Sequence, residues 1–353
     1  MTISPVGRLK ELGLPQERAV SHCSSSRQAL SKRYTRFADN EAHGRSPLYE
    51  AFARNIATDP EILDFLLTLP PTKQQPNLLF AAVRFVNGTS EGFGDFKGGL
   101  FSKIDAIRSV MLERSTQTNE PARCATLLPI LAQLPQPLAL IEVGASAGLC
   151  LLPDFYGYDY GSHELHPEIE DGHHPVFSCR ASAGTPLPTR MPEVVWRAGL
   201  DLNPLDAANP DRSSWLETLV WPEQKERLAN LRRALRVAVA QKPRIVRGSL
   251  TDHSLALLCR EAPSDVTLVV FHTAVLAYVS DQEDRRAFSD KIGPLCHAWI
   301  CNESPRVMPD LSKGAGEPSQ AGRFLLSLNR EPVAWTDPHG AAIEWIRKTE
   351  TDQ

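Results

Sequence analysis

The residues with the clearest chemical potential lie in one short turn. Leu138–Val143 is a continuous apolar run that contains one acid, Glu142, and the small residues 144–148 (G-A-S-A-G) follow it directly. Such a run is typical of a buried parallel strand, and a turn without large side chains lets a ligand approach the backbone. We therefore expect a ligand to bind at these positions: Glu142, Gly144, Ala145, Ser146 and Gly148.

The same turn also fits the pattern G-x-S-x-G, which exposes a serine nucleophile in α/β-hydrolases. Ser146 would be that nucleophile, and Asp337 and His339 in the later segment D-P-H-G could supply its acid and its base. In an α/β-hydrolase several strands precede the serine, whereas the residues before Pro137 have the periodicity of helices. A serine hydrolase is therefore the alternative interpretation.

Before Pro137, the elements that must support this turn are predicted to be helices. We expect them over residues 46–57, from Pro60 to Leu69, from Pro76 to Gly88, from the end of the glycine-rich residues 92–99 to about Glu113, and from 118–121 onward. Capping residues support two of these limits, because Asp59 precedes Pro60 and a glycine follows the third helix. This part of the chain is predicted to be an N-terminal helical domain, residues 1–136.

Beyond Pro137, strands alternate with helices, which is typical of a mostly parallel sheet with both faces covered. Parallel strands are predicted over residues 138–143, 194–197, 244–247, 266–271 and 297–301, and a terminal antiparallel hairpin over 323–328 and 332–335. The predicted fold class is therefore α/β, with the sheet in a second domain at residues 137–353.

The composition excludes several classes of protein. A net charge of −4 over 353 residues gives no general attraction to nucleic acid or anionic membranes. Residues 1–14 lack the apolar core of a signal peptide, and the apolar residues 266–279 are too short to span a membrane. The seven cysteines are scattered and form no C-x-x-C pair. We expect a reduced, cytoplasmic protein with no nucleic-acid partner and no membrane contact.

The order of these motifs resembles that of class I S-adenosylmethionine-dependent methyltransferases, in which five parallel strands precede an antiparallel hairpin. The resemblance implies a Rossmann-type sheet that binds S-adenosylmethionine at residues 144–148, with the amino-acid end of the cofactor beside Glu142. It implies ribose contacts for Asp201 and adenine contacts for Asp252. Ser146 stands where the methyltransferase pattern has its middle glycine.

The segment F-H-T-A-V-L-A-Y, residues 271–278, resembles the place where substrate meets the methyl group in these enzymes. His272 is the candidate base and Tyr278 a second candidate catalytic residue. Each acid and the histidine also has an ordinary structural interpretation. Glu142 could be a helix-capping or structural acid, Asp201 a turn residue, Asp252 a helix cap and His272 a core histidine.

Longer motifs occur along nearly the whole chain: S-P-L-Y-E (46–50), Q-P-N-L-L-F-A-A-V (75–83), Q-T-N-E-P-x-R-C (117–124), E-V-G-A-S-A-G-L (142–149), D-F-Y-x-Y-x-Y-G (154–161), W-R-A-G-L-D-L-N-P-L-D (196–206), L-V-W-P-E (219–223), V-V-F-H-T-A-V-L-A-Y (269–278) and D-P-H-G (337–340). With these motifs the chain resembles a bacterial family known as domain of unknown function 2332. The resemblance implies a methyltransferase-like fold without an established reaction.

These motifs also contain polar residues that could line the substrate side of the site: Asn119, Glu120, Arg123, Asp154 and Tyr158. The last two would follow the first helix after the turn and form a wall over the cofactor. The alternative for Asn119 is a helix cap, and the alternative for Tyr158 is packing between domains.

The function predicted from the sequence is methyl transfer from S-adenosylmethionine to an unknown small molecule by in-line displacement. A serine hydrolase and a catalytically silent binding protein of methyltransferase fold are the alternatives. Four histidines lie among acids in one polar segment: His163, His166, His173 and His174. Their loose spacing predicts a solvated loop over the site, so no metal ion is expected.

Overall fold

A computed structural model describes residues 16–168, 174–279 and 281–346. Residue contacts divide the chain into two compact units: unit 1 is Met1–Gln117 with Ser214–Lys225, and unit 2 is Thr118–Ser213 with Glu226–Gln353. The boundary that the composition predicts at residue 136 stays a prediction. Two predictions concern positions outside the described residues. They are the absence of a signal peptide in residues 1–14 and the place of His173 in the histidine-rich segment.

The described part of unit 1 is helical. Its α-helices are α1 Gln16–Phe37, α2 Pro47–Ile56, α3 Pro60–Leu67, α4 Pro76–Asn87, α5 Phe93–Ser102 and α6 Ile104–Glu113. Two predicted helix limits are confirmed: the Asp59 side chain accepts hydrogen bonds from the first N–H groups of α3, and Gly88 ends α4 with a φ of 87°. The glycine-rich residues 92–99 were expected to precede a helix, and this is wrong because Phe93–Gly99 are themselves helical.

Aromatic side chains form the core of unit 1. The Phe80 ring packs against Tyr49 with ring centroids 4.6 Å apart and against Phe96 at 5.8 Å. Trp221 comes from the later segment of this unit and packs against Tyr49 at 5.8 Å, while its indole N–H donates to Asn77. These contacts explain why residues 214–225 belong to the helical unit.

All of the described strands lie in unit 2. The strands are β1 Leu138–Val143, β2 Gly157–Asp159, β3 Glu164–Leu165, β4 Val176–Ser178, β5 Arg180–Ala181, β6 Val194–Asp201, β7 Arg244–Arg247, β8 Thr267–Thr273, β9 Ala298–Glu303, β10 Phe324–Leu328, β11 Glu331–Thr336 and β12 Ala342–Trp345. The remaining helices are α7 Cys124–Leu131, α8 Pro210–Thr218, α9 Lys225–Gln241, α10 Ser254–Cys259 and α11 Gln282–Ile292.

The nine-stranded sheet has the order β5-β12-β11-β10-β9-β8-β1-β6-β7. Its neighbours β7, β6, β1, β8 and β9 are parallel, whereas β9 to β12 pair antiparallel. A smaller sheet has the order β3-β2-β4. The predicted α/β class is confirmed at this level: a large, mostly parallel sheet accompanies an N-terminal helical region.

The terminal hairpin is also confirmed. Asn329 and Arg330 connect β10 to β11, and both have positive φ, 49° and 75°. Positive φ at both central residues is the requirement of a type I′ turn, whose twist matches that of antiparallel strands. The sequence did not predict β12, which extends the sheet beyond the hairpin.

An α-helix was expected directly after the turn of residues 144–148, and this expectation is wrong. Only two short 3₁₀-helices occur there, Leu149–Leu151 and Pro153–Phe155. In an α-helix the N–H of residue 153 would bond to the carbonyl of Leu149, and proline has no N–H. The Tyr156 hydroxyl donates to that carbonyl instead, at 2.7 Å.

Within the described residues, no helix has both the length and the apolar composition that are needed to span a membrane.

Candidate functional site

The order of the parallel strands identifies a candidate ligand-binding position at the carboxyl ends of the strands. Along the chain, β1 is followed on one side by β6 and β7 and on the other by β8 and β9. The connections therefore reverse direction between β1 and β8. In open α/β sheets, ligands bind outside the carboxyl ends of the strands at such a switch point. The carboxyl ends of β1 and β8 carry Glu142 and His272.

Several buried polar atoms at this edge have no hydrogen-bond partner among the described residues. They are Oε1 and Oε2 of Glu142, Oγ of Ser146, Nε2 of His272 and Oε2 of Glu303. Buried polar groups are nearly always hydrogen-bonded, so a ligand or bound water is needed to complete these. This concentration of incomplete polar groups marks the carboxyl edge as the candidate site.

Glu142 is the most unusual of these groups because its side chain is fully buried. Burial raises the pKa of its carboxyl well above 4.5, and the neighbouring Cys150 and Asp201 raise it further, against the opposing charge of Arg123. The uncharged acid is therefore favoured in the folded protein. Cys150 is itself buried, and its thiol donates to the carbonyl of Glu120 at 3.6 Å.

The turn after β1 is closely packed. Gly144 has a φ of 78°, and an added Cβ there would lie 2.9 Å from Cβ of Val275. Gly148 has a φ of 71°, and its Cβ would lie 2.8 Å from the Pro243 ring. Ala145 is buried between them. Both glycines are therefore required by the backbone conformation and by packing, whether or not a ligand binds.

Ser146 and Asp201 are directly linked. Ser146 has a φ of 53°, and its backbone N–H donates to Oδ2 of Asp201 at 2.7 Å. Oδ1 of Asp201 accepts from the N–H of Asn203, also at 2.7 Å. The acid at the end of β6 thus holds the turn that follows β1. Each carboxylate oxygen has a second lone pair, so Asp201 can accept further hydrogen bonds from a ligand.

Asp252 and Tyr278 lie in exposed positions. The Asp252 carboxylate accepts from the N–H of Ser254 at 2.7 Å and from that of Ser249 at 3.2 Å, in the manner of a local cap before α10. Tyr278 is 63% exposed at the end of a 3₁₀-helix, whereas the neighbouring candidate His272 is fully buried. The two predicted catalytic residues therefore lie in different environments.

His272 forms a buried pair with Glu303, which the sequence analysis did not identify. Nδ1 of His272 lies 2.9 Å from Oε1 of Glu303. The same oxygen accepts the backbone N–H groups of Val275 at 2.8 Å and Leu276 at 3.1 Å. Glu303 therefore orients the imidazole and holds the turn after β8. The predicted fifth strand ended at residue 301, so it placed Glu303 outside the sheet.

His272 and Glu142 lie on opposite faces of the sheet. Glu142 pairs with Phe271 in the parallel register, and successive side chains on a strand point to opposite faces. The His272 ring accordingly packs against Phe288 and Trp299, with centroids 5.6 and 5.9 Å away. The switch point thus carries two separate polar groups, one on each face.

Glu303 is expected to stabilise this corner strongly. Glu303→Ala leaves the His272 imidazole and two backbone N–H groups without their acceptor. Because each buried donor left unsatisfied costs about 1–3 kcal/mol, we expect the free energy of unfolding to fall by about 3–5 kcal/mol. Glu303→Gln keeps an oxygen acceptor and is expected to cost only about 1 kcal/mol. Urea denaturation measures both, and equal small losses would show that Glu303 does not hold the turn.

A second polar cluster in unit 2 surrounds Glu120. Its carboxylate lies 2.6 Å from Nε of Arg227 and 2.9 Å from Nδ1 of His339. Burial alone would raise the pKa of Glu120, but the charges of Arg227, His339 and Arg123 outweigh it, and the pKa is lowered. Asn119 joins the cluster by accepting a bond from Arg227 at 2.9 Å. The predicted residues Asn119, Glu120 and Arg123 are thus brought together.

The segment D-P-H-G takes part in this cluster and does not form the predicted hydrolase pair. The His339 imidazole contacts Glu120, whereas the Asp337 carboxylate lies 3.5 Å from Arg323 and accepts the backbone N–H of His339. Asp337 therefore does not orient the imidazole through its ring nitrogens in this arrangement. The turn serves instead to join the end of β11 to the Glu120 cluster.

Asp154 and Tyr158 make structural contacts. The Asp154 carboxylate forms a bidentate pair with Arg197 at 2.7 and 2.8 Å. Tyr158 is fully buried, and its hydroxyl donates to the carbonyl of Pro153 at 2.6 Å. Tyr160 stacks against Tyr158 with ring centroids 6.4 Å apart. Among the described residues, no group of three or more His, Cys, Asp and Glu side chains could hold a metal ion.

Fold and site together define a mixed α/β protein with incomplete buried polar groups at the switch point of its sheet. The chain belongs to the family described as "Uncharacterized protein conserved in bacteria (DUF2332)", whose profile matches residues 31–91 and 86–345. The family resemblance predicted from the motifs is thereby confirmed. No curated protein and no solved structure gave a match.

Proposed function

We propose that this protein transfers a methyl group from S-adenosylmethionine to a small molecule at the switch point between β1 and β8. The observation that carries the proposal is Glu142, a fully buried carboxyl. In the part of the chain that the structure describes, its two oxygens have no nitrogen or oxygen partner, and the weakly donating thiol of Cys150 is their polar neighbour. A buried acid of this kind is suited to the ammonium group of an amino acid, because that group both donates hydrogen bonds and neutralises the carboxylate.

The neighbouring residues fit the rest of such a cofactor. Asp201 keeps acceptor capacity at the end of β6, where an acid can bind ribose hydroxyls. The Ser146 hydroxyl is buried without a partner in the described chain and can bond to a polar ligand atom. The Val275 side chain fills the space beside Gly144, so a ligand has no room to contact that glycine. Glu142, Ser146 and Asp201 are therefore the residues that we propose to contact the cofactor.

When bound, S-adenosylmethionine supplies an electrophilic methyl group. The protein residues then have to fix the cofactor and align the acceptor, since in-line displacement gains most of its rate from positioning. His272 lies on the other face of the sheet from Glu142. The proposed reaction therefore relies on an acceptor that is already nucleophilic, and His272 is left as a structural residue of the β8 turn.

Calorimetric titration with S-adenosylmethionine and S-adenosylhomocysteine tests this proposal. We expect both to bind, and we expect Asp201→Ala to weaken binding by about 1–3 kcal/mol through lost hydrogen bonds. Asp206→Ala is the matched control, because Asp206 is an exposed acid of the following turn whose carboxylate accepts the backbone N–H of Ala208. Absence of binding to folded protein would refute the proposal, and equal affinities of the two variants would refute the ribose contact.

A further inference from the structure

Arg123 is held at the carboxyl edge of the sheet by uncharged acceptors. Its Nε donates to the carbonyl of Pro338 at 2.8 Å, and its Nη1 donates to the carbonyl and hydroxyl oxygens of Thr273 at 3.0 and 3.3 Å. Thr273 ends β8, and Pro338 lies in the turn after β11. The guanidinium group is thus anchored at two points of the same edge, and Nη2 makes no hydrogen bond within the described chain.

The charge of Arg123 has no dedicated counterion among the described residues. Glu120 lies close enough to feel this charge, but its carboxylate is already paired with Arg227 at 2.6 Å and with His339 at 2.9 Å. Glu142 also lies near Arg123, but burial favours its uncharged form. Two arginines therefore share one ionised buried carboxylate here, which leaves a surplus of positive charge.

A half-buried arginine with unused donors and no counterion is suited to an anion. One free nitrogen with two N–H groups matches a planar monoanion better than a phosphate, whose larger charge needs several cationic or backbone donors. Binding of the cofactor's ammonium group would satisfy Glu142 and leave Arg123 available. The two groups would then bind ligand ends of opposite charge.

We propose that Arg123 binds a carboxylate of the methyl acceptor at the end of β8, so that the substrate of this site is a small carboxylic acid. The assignment of this carboxylate to the acceptor rests on the proposed function. The presence of an anion site at Arg123 does not, and the two can be tested separately.

The first test uses benzoate and benzamide, which have nearly the same shape but differ in charge, with the intact protein at constant ionic strength. Without cofactor, we expect benzoate to raise the melting temperature and to bind at least about tenfold more tightly than benzamide, as a charge-assisted bond allows. Equal effects of the two probes, or no effect of either, would overturn the anion site. Tighter binding of inorganic phosphate would overturn the carboxylate assignment.

Two variants assign the binding to Arg123. Arg123→Lys keeps the charge but cannot reproduce the anchored fork, so its preference for benzoate should fall several-fold. Arg247→Lys is the control, because Arg247 is an exposed arginine at the same edge that donates to the carbonyl of Leu202. If Arg123→Lys is poorly folded, Thr273→Val removes one anchoring oxygen and should lower benzoate affinity several-fold. Unchanged preference in the folded variants would refute the assignment.

A titration with S-adenosylhomocysteine separates this inference from the proposed function. If S-adenosylhomocysteine binds and the benzoate preference is absent, the methyltransferase proposal stands and the carboxylate inference fails. If benzoate is preferred and S-adenosylhomocysteine does not bind, the anion site stands and its assignment to a methyl acceptor is overturned.

Discussion

Glu142→Gln is expected to stabilise the protein at alkaline pH and to weaken the binding of S-adenosylhomocysteine. The folded-state pKa of Glu142 lies well above 4.5, so the folded protein retains a proton that the unfolded chain releases. Stability therefore falls as pH rises from the unfolded pKa to the folded pKa, because the folded state binds more protons there. Glutamine is uncharged at every pH, so the variant does not lose stability in this way as pH rises.

The measurement is urea denaturation of wild type and variant at about pH 5 and about pH 8, since the linked loss begins near the unfolded pKa and grows as pH rises toward the folded pKa. We expect Glu142→Gln to gain roughly 1–3 kcal/mol over wild type at the higher pH, and less at the lower pH. Glu193→Gln, at an exposed glutamate just before β6, should show no such difference. A variant that is less stable than wild type at both pH values would contradict the burial argument.

Ligand binding should change in the opposite direction. The ammonium group of the ligand needs the ionised carboxylate, so binding releases a proton and tightens as pH rises toward the folded pKa of Glu142. Loss of the charge is expected to weaken binding at least about tenfold, because hydrogen bonds to charged groups contribute about 1.5–3 kcal/mol. An unchanged affinity would show that Glu142 does not contact the ligand and would remove the main support for the proposed function.

The parallel strands could be predicted because their signal is local. Leu138–Val143 is buried at every position, and a continuous apolar run indicates that burial directly. The β10–β11 hairpin was also predictable, since its two strands are adjacent in the chain. In contrast, β2 is only three residues long and pairs in parallel with β4, whose partner residues lie nineteen positions further along the chain. No local pattern specifies such a pair.

The contacts of the site were less predictable than its location. Glu142, Ser146 and Asp201 were identified because they stand at strand ends in the chain. Glu303 was missed because its role depends on His272, 31 residues earlier, and the role of Arg227 depends on Asn119, 108 residues earlier. The buried state of Glu142 depends on side chains from several elements, so the raised pKa follows only from the assembled fold.

Gly340→Ala is expected to disrupt the edge of the sheet that carries Arg123. Gly340 has a φ of 82°, and an added Cβ would overlap the backbone carbonyl of Ala122 and lie 2.8 Å from the backbone nitrogen of Arg123. Backbone atoms cannot move aside as a flexible side chain can. The D-P-H-G turn would have to shift, and with it the bonds of His339 to Glu120 and of Arg123 to Pro338.

Two costs add in this variant, and a control separates them. Alanine in the left-handed conformation costs about 1–2 kcal/mol, and forced overlap in a packed region adds about 1–3 kcal/mol. Gly322→Ala has the same φ of 82° with open space around the added Cβ, so it should lose only the first amount in urea denaturation. Because Gly340 fixes the turn that anchors Arg123, its variant should also lose the preference for benzoate, whereas Gly322→Ala should keep it. Equal destabilisation of the two variants would show that the turn tolerates displacement and that its close contact with Ala122 does not position Arg123.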